Sequence, residues 1–377
     1  MSEYQYYEFL AIDRPLSEAD RQALRDLSTR ARITATRFTN SYEWGDFKGD
    51  PAKLMERWFD LHLYLANWGS RRLMIRLPAR MVNRDLLDAF LGEVDCAGLT
   101  VTGDNLILDI MRDEVESDDL DDESDWLASL TPLRAEVLAG DLRLFYLLWL
   151  TAVETDAFEE DEPEPMPGIG PMTAALEAFA AFFGIDPDLV HAAAERSAVA
   201  IPNVSTPADV RKTLLAMTDS EKTEILTRLY DGDAHIALEL RAKVRDRMAV
   251  EADGPPAVVR TVGELRARTR ALGLAREHAA ARKLAAERGR RLEEAAKAHP
   301  ARLDTIAERG EGVWRAVEAE IERRNPAGYD KATSLLLDLQ AVAEERGAMP
   351  DFEKRLQAIR ERHARKQQFV LRLAKIG

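Results

Sequence analysis

One cysteine, Cys96, stands alone in 377 residues, so no internal disulfide and no thiolate zinc site can form. That usage points to a cytoplasmic setting. Cys96 follows Asp95, precedes a strand-like run, and reads as a small buried hydrophobe rather than a nucleophile. Long apolar runs are missing too. The most apolar stretch, Leu144–Val153, is about half the length of a bilayer crossing and reads as the buried face of a core helix. The opening residues Met1-Ser-Glu-Tyr-Gln-Tyr-Tyr-Glu carry neither the basic nor the apolar region of a secretory leader, which argues for the same compartment and against a membrane partner. There is no Walker A pattern, no G-x-G-x-x-G after a strand and no G-x-S-x-G elbow, so no nucleotide cradle and no hydrolase nucleophile is visible. The six histidines are scattered, and no two lie at metal-ligand spacing on one helix. The acidic run Asp113–Asp125 holds no glycine, which an EF-hand loop requires. No cofactor and no metal is expected.

What is present is an uneven division of charge. Residues 1–112 carry 15 Lys+Arg against 17 Asp+Glu, residues 113–255 carry 11 against 32, and residues 256–377 carry 26 against 18. The net charges are −2, −21 and +8. Parts with such different charge imply different surroundings. The length suggests two or three domains, and 46% hydrophobic residues supply enough material for more than one core.

Residues 1–112 read as an α+β domain with a layered, broadly ferredoxin-like sheet, helices on one face, in the order β-α-β-α-β-α-β-β. Tyr4–Ile12 suits a strand, and Ser17 caps a helix carrying Ala23, Leu24 and Leu27. Arg32–Trp44 reads as one strand. Pro51–Asn67 reads as one helix, because Leu54, Trp58, Leu61 and Leu65 recur at three- and four-residue spacing. Arg71–Pro78 alternates, a short helix follows at Asn83–Leu91, and Leu99–Thr102 pairs with Leu106–Met111 across Gly103-Asp104-Asn105.

Residues 113–125, with nine carboxylates, read as a solvated linker, and Glu154–Glu164 repeats the pattern with seven. Mostly α-helical regions follow. Residues 126–250 are expected to form an acidic all-α domain that opens with a helical hairpin over Trp126–Val153 and includes a capping box at Thr218 and Glu221. Residues 251–260 form the next joint. Residues 261–377 form a basic region, with one charged helix over Thr261–Ala298 stopping at His299-Pro300, a second helix over Arg302–Arg324, and a helical hairpin from Tyr329 to His363. The apolar seam of the long helix is too thin to specify a coiled coil.

Two surfaces could contact a partner. Arg282, Lys283, Arg290 and Arg291 on the long helix, with Arg360, Arg362, Arg365 and Lys366 in the tail, could track phosphates, although no aromatic residue lies between positions 260 and 313 for base stacking. In the sheet, Tyr4, Tyr6, Tyr7, Phe38, Tyr42 and Trp44 with Arg37, Arg72 and Arg76 could form a platform, the alternative being that these aromatics are core.

Tyr6–Leu16, Trp44–Pro51 and Asn67-Trp68-Gly69 resemble a widespread bacterial family of hypothetical proteins, a resemblance that implies no catalytic residue. The tail from Tyr329 to Lys366 is similar to the ends of some bacterial SWIM zinc-finger proteins. The cysteine-histidine finger is missing here, so that resemblance implies a helical interaction module and no zinc.

The reading that follows is a non-catalytic cytoplasmic interaction protein with a protein partner, or one that self-associates through its acidic middle and basic tail. The alternative is a nucleic-acid-associated protein using the basic C-terminal helices. A third is an enzyme using Glu43 and Asp46 with Arg72 or Arg76.

Overall fold

Alternation of apolar and polar side chains builds the N-terminal sheet. The computed structural model describes residues 4–115, 125–197, 207–233, 235–251, 259–374 and 376. β1 (Gln5–Leu10), α1 (Glu18–Leu27), β2 (Arg32–Ile33), β3 (Arg37–Tyr42), α2 (Pro51–Arg57) and β4 (Leu61–Ala66) succeed one another. Their strands lie in the order β4-β1-β3-β2 with all neighbours antiparallel, a ferredoxin-like order, although it is reached through strands the expected element order does not contain. β5 (Arg71–Pro78), β6 (Ala97–Thr102) and β7 (Asn105–Arg112) extend it to seven strands, in the order β2-β3-β1-β4-β5-β7-β6. The expected hairpin joins β6 and β7 through Gly103, whose φ of +56° suits a tight turn.

Two elements differ from expectation. Arg32–Trp44 is two strands, with Thr34 turning the chain: its hydroxyl accepts from the Arg37 amide at 2.9 Å. Pro51–Asn67 is helix only as far as Arg57, and Leu61–Ala66 is a strand. Helical spacing misleads there because β4 is central and buried on both faces, so apolar residues appear at nearly every position.

Helices cover both faces of the sheet, not the one face expected. On one face Phe9, Phe38, Met74 and Ile107 pack with Leu24 of α1 and Leu54 and Met55 of α2. α1 starts in a capping box, Ser17 with Asp20, and Asp20 also accepts from the Trp58 indole at 2.7 Å, which ties α1 to the end of α2. On the other face Leu61, Leu63, Leu73, Ile75, Leu108 and Ile110 share one core with α3 (Arg84–Leu91), α4 (Trp126–Leu138), α5 (Arg143–Glu154), α6 (Ala174–Phe182) and α7 (Pro187–Ala194). Leu144–Val153 is buried at every position, more than the single buried face expected of it. In place of a hairpin of two mutually packed arms, α4 lies mainly on α6, and α5 lies on α3 and α6.

That shared core crosses the expected boundary at residues 113–125. Val115 donates to the Gly69 carbonyl at 3.1 Å, and residues 116–124 lie outside the described residues. The second acidic run is folded rather than a solvated linker. The Glu164 amide donates to the Arg260 carbonyl at 2.8 Å, and the Glu162 carbonyl accepts from Val262 at 2.8 Å. The chain divides into compact units at 1–275 and 276–377, in place of the five segments read from composition. α8 (Pro207–Ala216), α9 (Asp219–Tyr230) and α10 (Ile236–Glu251) form a small cluster within the first unit around Met217, Ile225 and Ile236. The capping box at Thr218 and Glu221 is present.

α11 (Val262–Arg309) does not stop at His299-Pro300 but ends at Gly310, whose φ is +48°. The second unit packs α12 (Glu311–Glu322), α13 (Pro326–Glu345), α14 (Met349–Arg362) and α15 (Gln367–Leu373) around Val313, Ile321, Leu336, Phe352, Ile359 and Phe369. The expected second helix is therefore divided at Gly310, and the expected hairpin of α13 and α14 is present. Among the described residues no helix is long and apolar enough to cross a membrane.

Candidate functional site

The cations chosen from sequence fall into two groups. The first group is engaged within the fold. Arg72 on β5 holds Asp109 on β7 through two bonds of 2.8 and 2.6 Å. Arg76 reaches Asp60 at 2.7 Å and the Met55 carbonyl at 3.2 Å. Arg37 lies 3.0 Å from the buried Glu8. In the second unit Arg360 donates to the Ile376 carbonyl at 2.8 Å, Arg362 pairs with Glu318 at 2.5 Å, and Lys366 pairs with Glu322 at 2.7 Å. Such groups brace neighbouring elements and present little free charge to a ligand.

The second group is open. Arg282, Lys283, Arg290 and Arg291 on α11, joined by Arg288, are exposed and make no hydrogen bond or ion pair among the described residues. Arg365, beyond α14, is likewise exposed and unpaired. From residue 276 to 294, roughly 28 Å of helix, every residue is exposed except Glu287, which is half-buried. Leu284 and Leu292 are 51% and 72% exposed. Lys283 and Arg290, seven residues and two turns apart, share one side of the helix.

The aromatic platform is not assembled. Phe38 is buried, and Tyr7 is enclosed by Tyr42, Phe47 and Tyr64 with ring centroids 5.9, 5.1 and 4.7 Å away. Trp44, 74% exposed, stands apart from that packing. Nor do the residues of the enzyme reading meet. Glu43 is exposed, Asp46 accepts from Gln5 at 3.1 Å, and Arg72 and Arg76 hold other carboxylates.

Sequence reading missed the densest titratable groups. Asp60 is fully buried. It accepts from the amides of Ile12 and Asp13 at 2.6 and 2.9 Å and from Arg76. Arg134 of α4 grips Asp13 through bonds of 2.8 and 2.6 Å and donates to the Arg76 carbonyl at 2.8 Å. His235 completes the group, its Nε2 3.0 Å from Asp13. Burial pushes the Asp13 carboxyl up, but the adjacent His235 and the hydrogen bonds from Arg134 outweigh it and hold the group well below the usual carboxylate range. A second group joins Glu164, Arg260 and Tyr146. Arg260 reaches Glu164 at 2.9 Å and the Ala192 carbonyl at 2.7 Å, and the Tyr146 hydroxyl donates to Glu164 at 2.7 Å. No local sequence signal marks either group, since Asp13 lies 121 positions from Arg134 and farther still from His235.

His62 is fully buried, stacked on Phe9 at 3.9 Å, with Nδ1 2.9 Å from the Glu8 carbonyl and Nε2 without a partner among the described residues. Since a carbonyl can only accept, Nδ1 carries the proton. Burial pushes its pKa down to about 3, so the ring is neutral at ordinary pH. Cys96 is half-buried with its thiol 3.3 Å from the Thr151 hydroxyl, and burial pushes its pKa up, which suppresses the thiolate. Among the described residues no group of three or more His, Cys, Asp or Glu side chains is placed to hold a metal ion.

Comparison with protein-family models, curated proteins and solved structures finds no match for the chain.

Proposed function

We propose that this chain is a non-catalytic, cytoplasmic interaction protein whose contact element is the exposed run of α11 from Arg276 to Glu294, and that its partner is a protein with an acidic surface. The observation that supports the reading is the concentration of unpaired cations there. Arg282, Lys283, Arg288, Arg290 and Arg291 are open within ten residues, beside the exposed Leu284 and Leu292. A helix left uncovered on all sides gains little stability from packing, so its sequence is not explained by its own folding. Glu277, Glu287, Glu293 and Glu294 interrupt the positive charge, and no aromatic residue lies nearby. Both features favour a patterned protein surface over the uniform phosphates of a nucleic acid.

The test compares affinity purification of the tagged full chain with that of a variant carrying Arg282→Glu, Lys283→Glu, Arg290→Glu and Arg291→Glu, each with and without nuclease. A protein that survives nuclease and is lost from the variant supports the reading. Material that vanishes with nuclease transfers the function to nucleic-acid binding. A partner retained equally by both proteins removes α11 as the contact element.

A further inference from the structure

The sheet ends in an unfinished edge. β2 contributes only Arg32 and Ile33, paired with Thr39 and Phe38, so the remainder of β3 has no strand beyond it among the described residues. An open depression of about 300 Å³ occupies that corner, lined by Tyr6, Arg30, Arg32, Thr39, Asn40 and Ser41. No lining side chain is acidic. Arg30 and Arg32 are exposed and make no hydrogen bond or ion pair among the described residues, and the same holds for the side chains of Thr39 and Ser41. The other two lining side chains are already bonded: Tyr6 donates to Glu8 at 3.1 Å, and Asn40 donates to Ser28 at 2.8 Å and to Tyr42 at 2.7 Å. Glu8 is 2% exposed and faces Arg37, which also lies 3.7 Å from Asp125.

We propose that this corner is an oxyanion site taking a phosphoryl group, with Arg30 and Arg32 as its charged donors and the hydroxyls of Thr39 and Ser41 as neutral ones. The chemistry follows from the donor set. Two guanidinium groups offer parallel N–H pairs that match a phosphate, and a hydroxyl rotates to donate where it is needed. A cation would meet two uncompensated positive charges, and an apolar ligand would bury them.

The test is calorimetric titration of the full chain with inorganic phosphate, and separately with glycerol phosphate. Arg30 and Arg32 are exposed, so the Arg30→Gln/Arg32→Gln variant keeps the fold, which an unchanged melting temperature verifies. One saturable site is expected, weakened by about tenfold or more in that variant, and unchanged in Lys354→Gln/Arg365→Gln, which removes exposed cations elsewhere. The tighter of the two ligands tells a free phosphate from a phosphomonoester. Unsaturable binding, or equal weakening in both double variants, overturns the site in favour of general charge attraction.

Discussion

Arg134 and Arg282 carry the same charge and do opposite work. Arg134 sits beneath the helices of the first unit, engaged with Asp13 and the Arg76 carbonyl. Arg282 stands on an uncovered helix and touches no partner among the described residues. The contrast extends to their neighbourhoods. The acidic middle of the chain, which composition alone presents as a solvated region, places Glu164 in the interior against Arg260. The basic tail, which composition presents as a binding patch, ties Arg362 and Lys366 to glutamates of α12. Net charge over a segment therefore gives the segment's field, while function depends on which charges the fold leaves unpaired.

The largest test of this contrast is at the buried pair. Arg260→Met should destabilise the protein by about 3 to 5 kcal/mol, because it strands Glu164 beside the Tyr146 hydroxyl. Adding Glu164→Leu should restore more than half of the loss, since no unpaired charge then remains. Chemical denaturation of the three proteins measures both steps, and a double variant no better than the single one would contradict the argument.

Acid should act next, through His62. Its pKa in the folded state is about 3 against 6.5 unfolded. A group whose pKa is depressed by folding stabilises the native state above the unfolded value and loses that contribution as protons bind. Stability should fall by about 1.4 kcal/mol per pH unit between pH 6.5 and 3. Below about pH 4 the depressed Asp13 adds a loss of the same sign. A denaturation series across pH should show the slope in the wild type and a flatter line between 6.5 and 4 in His62→Phe, which keeps the stack on Phe9.

The smallest effect belongs to the open helix. Lys283→Glu with Arg290→Glu should leave the melting temperature unchanged, because neither side chain has a partner to lose among the described residues. A clear drop in melting temperature would mean that these cations support the fold, and the two populations would then be one.

Much of the fold was legible in local signals. The Ser17 cap, the Thr218 capping box and the Gly103 hairpin all stand where turn and cap chemistry put them. β4 was not legible, because Leu54, Trp58, Leu61 and Leu65 satisfy a helical period across a break at Asp60. Asp60 itself accepts from the backbone of residues 12 and 13, a contact with no sequence signature. Among the candidate cations, Arg282, Lys283, Arg290 and Arg291 were found by composition and remain open. Arg37, Arg72 and Arg76 were found the same way and are engaged by carboxylates on other elements. Arg30 and Arg32 were missed, since the corner they line exists only because β2 ends after two residues.

The sequence by itself determined most of the element types, many of their ends and the division of charge, because caps, turns and periodicity act over a few residues. The tertiary structure alone decided that the sheet and the acidic helices share one core, that Asp13, Asp60, Arg76, Arg134 and His235 meet, and which arginines stay unpaired. Those outcomes depend on pairings between distant segments, where burial fixes whether a charge is neutralised by a neighbour or left to water.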